Sequence, residues 1–385
     1  MPFANPAQAQ ELSAVSGSDL YEVKRRPDIS WQQLETPHFS ILHPAHADGQ
    51  ARRTGRILEA QYDQARQLVG GQLQDFPVIL NPRNDRSNGL VSPINFRMEV
   101  ELHPIQGKVL NPRSGNWLEA VLPHELIHAL QLSNHNRVGL TRLIYPFSPD
   151  FARSVHTAIP LGVLEGLAVH HETESVLPSG GRGQYPYFTG LFQSTFSTER
   201  QWSMGQLVHI SSQARPFNRH YVGGFEFTNW LQNTYGPSTS REAISFYSRY
   251  PFLGYGTALR HATGQWPGQL YDTFVEDYRK QPTSRNTTSK VAQSSSFHIL
   301  PVSYKGAEVR RPLWLSNSEL LFYGDFYNGR PGFYRYNLNT RNSRRIFETR
   351  LVEDYRYDLS AQRDSLVFAR YHAHLFYDQL YDSRI

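Results

Sequence analysis

No cysteine occurs among the 385 residues, which excludes disulfides and thiolate ligation and leaves any zinc site to histidine and carboxylate. No apolar run approaches the roughly 18–20 residues that a membrane-crossing helix needs. Dense basic clusters are missing too: 39 Lys and Arg against 34 Asp and Glu leave a formal charge of +5 spread along the chain. Nucleic acid is therefore not an expected partner. What is plentiful is aromatic, with 22 Tyr, 22 Phe and 6 Trp making 13% of residues. Such rings bury large areas while Tyr and Trp keep a polar tip. The length suits two domains, and 39% hydrophobic residues can fill their cores.

Near the start, Ala7-Gln8-Ala9 fits the small-residue cleavage pattern that ends a secretory signal, without the charged and apolar parts that precede one. Residues 1–10 are expected to be a signal-peptide remnant and the protein to be exported, to the periplasm, cell surface or medium. Further on, His38 to Leu42 alternates as a short strand, and Leu58, Tyr62, Ala65 and Val69 share one face of a helix. Phe76 to Leu80 has the pattern of a buried strand. Phe96, Met98, Val100 and Leu102 alternate with Arg97, Glu99 and Glu101 as a half-exposed antiparallel one. That strand is a candidate cleft edge for pairing with an extended peptide. Trp117 to Leu132 predicts a helix apolar nearly all round, hence buried, with a kink or fresh start at Pro123. A second apolar helix is expected from about Leu161 to Glu172, and others near Gly224 to Tyr235, Ser240 to Tyr250 and Leu270 to Lys280.

Composition changes at Gln281 to Ser296, which is rich in Ser, Thr and Gln and lacks apolar periodicity, as linkers do. Beyond it come short aromatic strands at Glu319 to Gly324, Gly332 to Leu338, Arg344 to Phe347, Ser365 to Tyr371 and Leu375 to Leu380. Leu315-Ser316 recurs 44 residues later as Leu359-Ser360. A period of that length suits a four-stranded propeller blade. The expected division is 11–280 as one domain, 281–300 as linker and 301–385 as about two blades of a truncated propeller.

The chemistry is carried by His124-Glu125-Leu126-Ile127-His128. On a helix, imidazoles at i and i+4 point the same way and can share a metal ion. Zinc takes such nitrogens in a tetrahedron and, in catalytic sites, keeps one position for water. Glu125 flanks the ion and can hold that water. A His-Glu-His trio inside an otherwise apolar helix would strand costly polar groups unless something pairs with them. The third ligand lies elsewhere: Gln131 and Asn134 stand where metzincins carry Gly and His, which excludes that family. Glu165, opening the run Glu165-Gly166-Leu167-Ala168 on the second buried helix, is the favoured candidate. His156, His170, His171 and Glu174 are its rivals, the His170-His171 pair otherwise serving packing or surface.

These residues resemble the gluzincin metallopeptidases, in which H-E-x-x-H is followed by a separate helix bearing a ligand Glu. From about His38 to Lys280 the chain is more closely similar to the peptidase MA-like domains of exported bacterial proteins with TolB-like propeller repeats behind them. The match rests on His38-Phe39-Ser40-Ile41, the metal motif, Glu165-Gly166-Leu167-Ala168 and the Tyr221 to Gly236 segment; Val163 departs from it where a Trp is frequent. The resemblance implies an α+β fold, a zinc ion on His124, His128 and Glu165, and Glu125 as general base. It further implies Glu172 orienting a ligand histidine, and Tyr221, with His220 second, stabilising the oxyanion. The expected function is hydrolysis of peptide bonds, with a peptide or protein substrate and a protein partner on the propeller segment. An inactive exported scaffold or binding protein, or a zinc hydrolase of non-peptide amides or esters, are the rival readings.

Overall fold

Alternation at Phe39, Ile41, Phe76, Val78, Met98 and Val100 puts these side chains on one buried surface, and a sheet forms beneath it. In the computed structural model, residues 29–81, 87–103, 116–135, 138–174, 181–196, 201–209, 219–280, 308–326, 329–349, 357–373 and 381–384 are described. The chain divides into two compact units; described residues up to Lys280 belong to one and those from Glu308 onward to the other.

The first unit begins with strands β1 (Trp31–Glu35) and β2 (Phe39–Pro44), helix α1 (Asp48–Val69), and strands β3 (Phe76–Asn81), β4 (Gly89–Ser92) and β5 (Arg97–Glu101). They make one sheet in the order β1-β2-β3-β5-β4. Strands β2, β3 and β5 run parallel, and α1 supplies the crossover that parallel neighbours need. Its Leu58, Tyr62, Ala65 and Val69 are all buried, as their spacing predicts. Two expectations for the Arg97 to Glu101 strand are corrected. It is antiparallel to β4 only, being parallel to β3, and it is an interior strand. The edge is β4, whose four residues lack the alternation that would have marked it.

Helices follow: α2 (Trp117–Leu132), α3 (Leu140–Ile144), α4 (Pro149–Ser154), α5 (Leu161–Glu174), α6 (Pro186–Phe196), α7 (Met204–Val208), α8 (Arg219–Tyr235), α9 (Thr239–Arg249), α10 (Gly254–Thr263) and α11 (Pro267–Lys280). Helix α2 starts where Asn116 caps it, its side chain accepting from the Leu118 amide at 3.1 Å. Of the two expectations for Pro123, a kink or a fresh start, the fresh start is excluded: Pro123 sits inside one continuous helix. The missing N–H costs the Glu119 carbonyl its ladder partner. Burial of Leu122, Leu126, Ile127 and Leu130 on several sides of α2 offsets that loss. Helices α5 and α8 meet backbone to backbone: a methyl group at Gly166 would overlap the Gly224 carbonyl, and one at Gly224 would overlap that of Gly162. Stacked and edge-on rings of Phe192, Phe196, Trp202 and Phe274 close the far end of the core.

In the second unit β6 (Glu308–Ser316), β7 (Glu319–Phe326), β8 (Gly329–Asn337) and β9 (Asn342–Glu348) form an antiparallel sheet in sequence order. Strands β10 (Tyr357–Leu359) and β11 (Leu366–Phe368) pair as a hairpin, and β12 (Arg370–Ala373) pairs with β13 (Tyr381–Arg384). Leu315-Ser316 ends β6 and Leu359 ends β10, so both copies of the recurrence lie at the ends of strands that open a hairpin, with turns of different length. The expected Ser365 to Tyr371 strand is divided between β11 and β12. The expected Leu375 to Leu380 strand, the Gln281 to Ser296 linker and the signal-like N-terminus lie outside the described residues.

Candidate metal centre

Helices α2 and α5 pack antiparallel, since Gln131 meets Leu164 at one end and His124 reaches Glu172 at the other. That alignment carries Glu165 to the two histidines. The His124 and His128 Nε2 atoms are 3.2 Å apart, and Glu165 Oε2 lies 3.1 Å from the first and 3.3 Å from the second. Ligands at about 2.0–2.1 Å around a tetrahedral zinc are separated by roughly 3.3–3.4 Å. The triangle therefore has the size of a tetrahedron face. Among the described residues these three are the group able to hold a metal ion.

Hydrogen bonding aims the His128 lone pair inward. Gln131 Nε2 donates to the Leu164 carbonyl at 3.1 Å, which turns its Oε1 toward His128 Nδ1 at 3.0 Å. An Nδ1–H on His128 donates to that oxygen and leaves Nε2 bare. His124 Nδ1 lies 3.1 Å from Glu172 Oε2, which accepts from it in the tautomer that frees Nε2. Glu172 is thus where the resemblance puts it.

Sequence reasoning missed Arg182. Its backbone N–H and Nε donate to Glu172 Oε1 at 2.9 and 2.8 Å, and Nη2 donates to Glu172 Oε2 at 3.1 Å; Nη2 also lies 2.8 Å from His124 Nδ1, to which it donates only in the other tautomer, the one that carries the ring proton on Nε2. No motif marks it, because it stands on a single 3-10 turn, Arg182–Gln184, beyond the end of α5.

The electrostatics call for a cation. Glu125, Glu165 and Glu172 face one guanidinium, so two negative charges are left for protons on the imidazoles or for a bound divalent ion to offset. Burial pushes the His128 imidazole down, yet the Glu165 and Glu125 carboxylates outweigh it and hold the ring at about 9. Burial acts upward on Glu165, but the two imidazoles keep it well below the usual carboxylate range. Glu172 is brought to about 2, burial being overcome by Arg182 and His124. Burial raises the Glu125 carboxyl. The donor set and its spacing fit zinc.

Glu125 is buried on α2 against Gly89 of β4, where a methyl group would collide with its carboxylate. Tyr221 is buried in the first turn of α8 with the Arg182 guanidinium 5.2 Å from its ring centre; His220 is buried beside it. The rival ligands are not in the triangle. His156 is buried on the Val155–Ala158 turn, 6.3 Å from the Tyr247 ring, and His171 is buried on α5; burial lowers each to about 4. His170 is half-buried and Glu174 exposed. Compared with models of known protein families and with curated proteins, the chain matches none.

Proposed function

We propose that the chain is a zinc-dependent peptidase of gluzincin type. The carrying observation is the 3.1–3.3 Å triangle of His124, His128 and Glu165 with a buried Glu125 next to it on the same helix. A zinc ion on those three residues would supply Lewis acidity, polarising a scissile carbonyl and lowering the pKa of a water. Glu125, its carboxyl raised by burial, takes the proton of the attacking water and passes it to the leaving amine. Glu172 and Gln131 hold the two imidazoles in orientation. Tyr221 is assigned to donate to the oxyanion. Strand β4 is the sheet edge beside Glu125, and an extended peptide substrate pairs with it.

The second unit supports the propeller reading in one respect: β6 to β9 bury aromatic residues on both faces, Tyr323 and Phe333 on one, Phe322 and Tyr334 on the other. A sheet apolar on both sides suits stacking between neighbours, as blades do. We assign it as a propeller blade carrying a protein partner, and the protein as exported.

Glu125→Gln tests the reading. The variant should keep one zinc per chain while turnover of a quenched peptide library falls about 100- to 10,000-fold. Turnover at the parent's rate in the zinc-loaded variant removes Glu125 from the mechanism. A zinc-loaded parent that cleaves nothing favours the scaffold.

A further inference from the structure

The segment joining α2 to α5 carries an apolar surface that the metal site does not use. Val138, Leu143 and Phe147 are 74%, 70% and 91% exposed. Leu140 and Leu143 on α3, Phe147 in the turn that follows and Phe151 on α4 are all exposed. The inward side is pinned: Thr141 Oγ1 donates to the Ser248 carbonyl at 2.8 Å, and Ala152 is buried. The end of α9 lies alongside, since a side chain at Gly139 would overlap the Arg249 backbone. Just past it Phe252 is 73% exposed, with Tyr250 6.3 Å away by ring centres and Leu253 also exposed. Large apolar side chains exposed in such number on neighbouring segments are the kind of surface that marks an interaction site.

The segments that carry these side chains are poor in acidic residues. No acidic residue occurs between Glu125 and Asp150, or between Glu242 and Asp272. The Asp150 carboxylate is engaged by Arg153 at 2.9 Å and by the Asn95 amide at 3.0 Å. Arg142 and Arg249 are exposed at the rim.

We infer that this face docks on an anionic phospholipid bilayer, with Leu143, Phe147, Phe151 and Phe252 entering the acyl boundary and Arg142 and Arg249 meeting headgroup phosphates. Aromatic and aliphatic tips flanked by Arg142 and Arg249 match that interface. No spanning helix is needed, and none of the described helices is long and apolar enough to be one. A second copy of the chain is the alternative occupant, which ultracentrifugation without lipid separates from bilayer docking. Bilayer docking places the β4 edge, tied to α4 through Asn95 and Asp150, near the membrane surface.

The test is co-sedimentation of the full chain with vesicles of phosphatidylcholine alone or mixed with phosphatidylglycerol, beside analytical ultracentrifugation without lipid. The parent should bind the anionic vesicles, less so as salt is raised, and bind the neutral ones at least about tenfold more weakly. Phe147→Ser with Phe252→Ser, and separately Arg142→Glu with Arg249→Glu, should each reduce binding at least about tenfold. These positions are exposed, so thermal midpoints should stay at the parent's. Glu125→Gln should bind as the parent does, which keeps this result independent of the peptidase reading. No binding by the parent, or equal binding by both double variants, overturns the inference. A concentration-dependent dimer that the serine variant abolishes also overturns it, by assigning the face to a second copy.

Discussion

Zinc should raise the thermal midpoint of this chain by an amount that the triangle of His124, His128 and Glu165 controls. In the unfolded state the two histidines are four positions apart along the chain and Glu165 lies 37 positions beyond His128, so nothing pre-arranges them. The ion therefore binds the folded chain, and its binding energy becomes folding energy. With free zinc a thousandfold above its dissociation constant, that linkage amounts to about 4 kcal/mol. A unit of this size class gains about 2–4 °C per kcal/mol, which gives a rise of about 8–16 °C. Glu165→Ala deletes the one anionic ligand and leaves two imidazoles, so its rise should shrink to a small fraction of the parent's. Glu125→Gln leaves all three ligands and should keep most of it. Differential scanning calorimetry of chelator-stripped and zinc-loaded protein measures all three. An equal rise in parent and Glu165→Ala, or no rise in the parent at saturating zinc, would refute the ligand assignment.

Two more outcomes follow from the surroundings of the site. Glu172→Gln should weaken zinc binding about 10- to 100-fold in competition with a chelator, because His124 loses the carboxylate that holds its Nδ1–H and Arg182 loses its main partner; unchanged affinity would mean that the pair is structural only. Gly224→Ala should destabilise by about 3 kcal/mol or more in urea unfolding, since its methyl group would meet the Gly162 carbonyl where two helix backbones touch, and a neutral result would mean that α5 and α8 separate at little cost.

Much of the site was legible because its elements are local. The His124-Glu125-His128 spacing needs only a helix, and the apolar residues around it supply one. The burial of that helix, the alternation of Met98 and Val100, and the common face of Leu58, Tyr62, Ala65 and Val69 are likewise periodicities of two or 3.6 residues. At Pro123 the fresh-start alternative failed for the complementary reason: its local preference for a helix start yielded to Asn116, which caps the helix two turns earlier, and to burial on several sides of α2.

The sequence by itself determined the ligand types, their separation along one helix and the exclusion of thiolate chemistry. Only the tertiary structure decided which of Glu165, His156, His170, His171 and Glu174 reaches the histidines, because that depends on the register of α2 against α5. It also decided that Arg182 buttresses Glu172 and that β4, rather than the Arg97–Glu101 strand, is the edge beside Glu125. Periodicity tells a residue which way to face, since φ and ψ repeat locally. Which neighbour it then faces is set by packing between segments far apart in the chain, as where Gly166 and Gly224 let two backbones touch, and no window of sequence contains both partners.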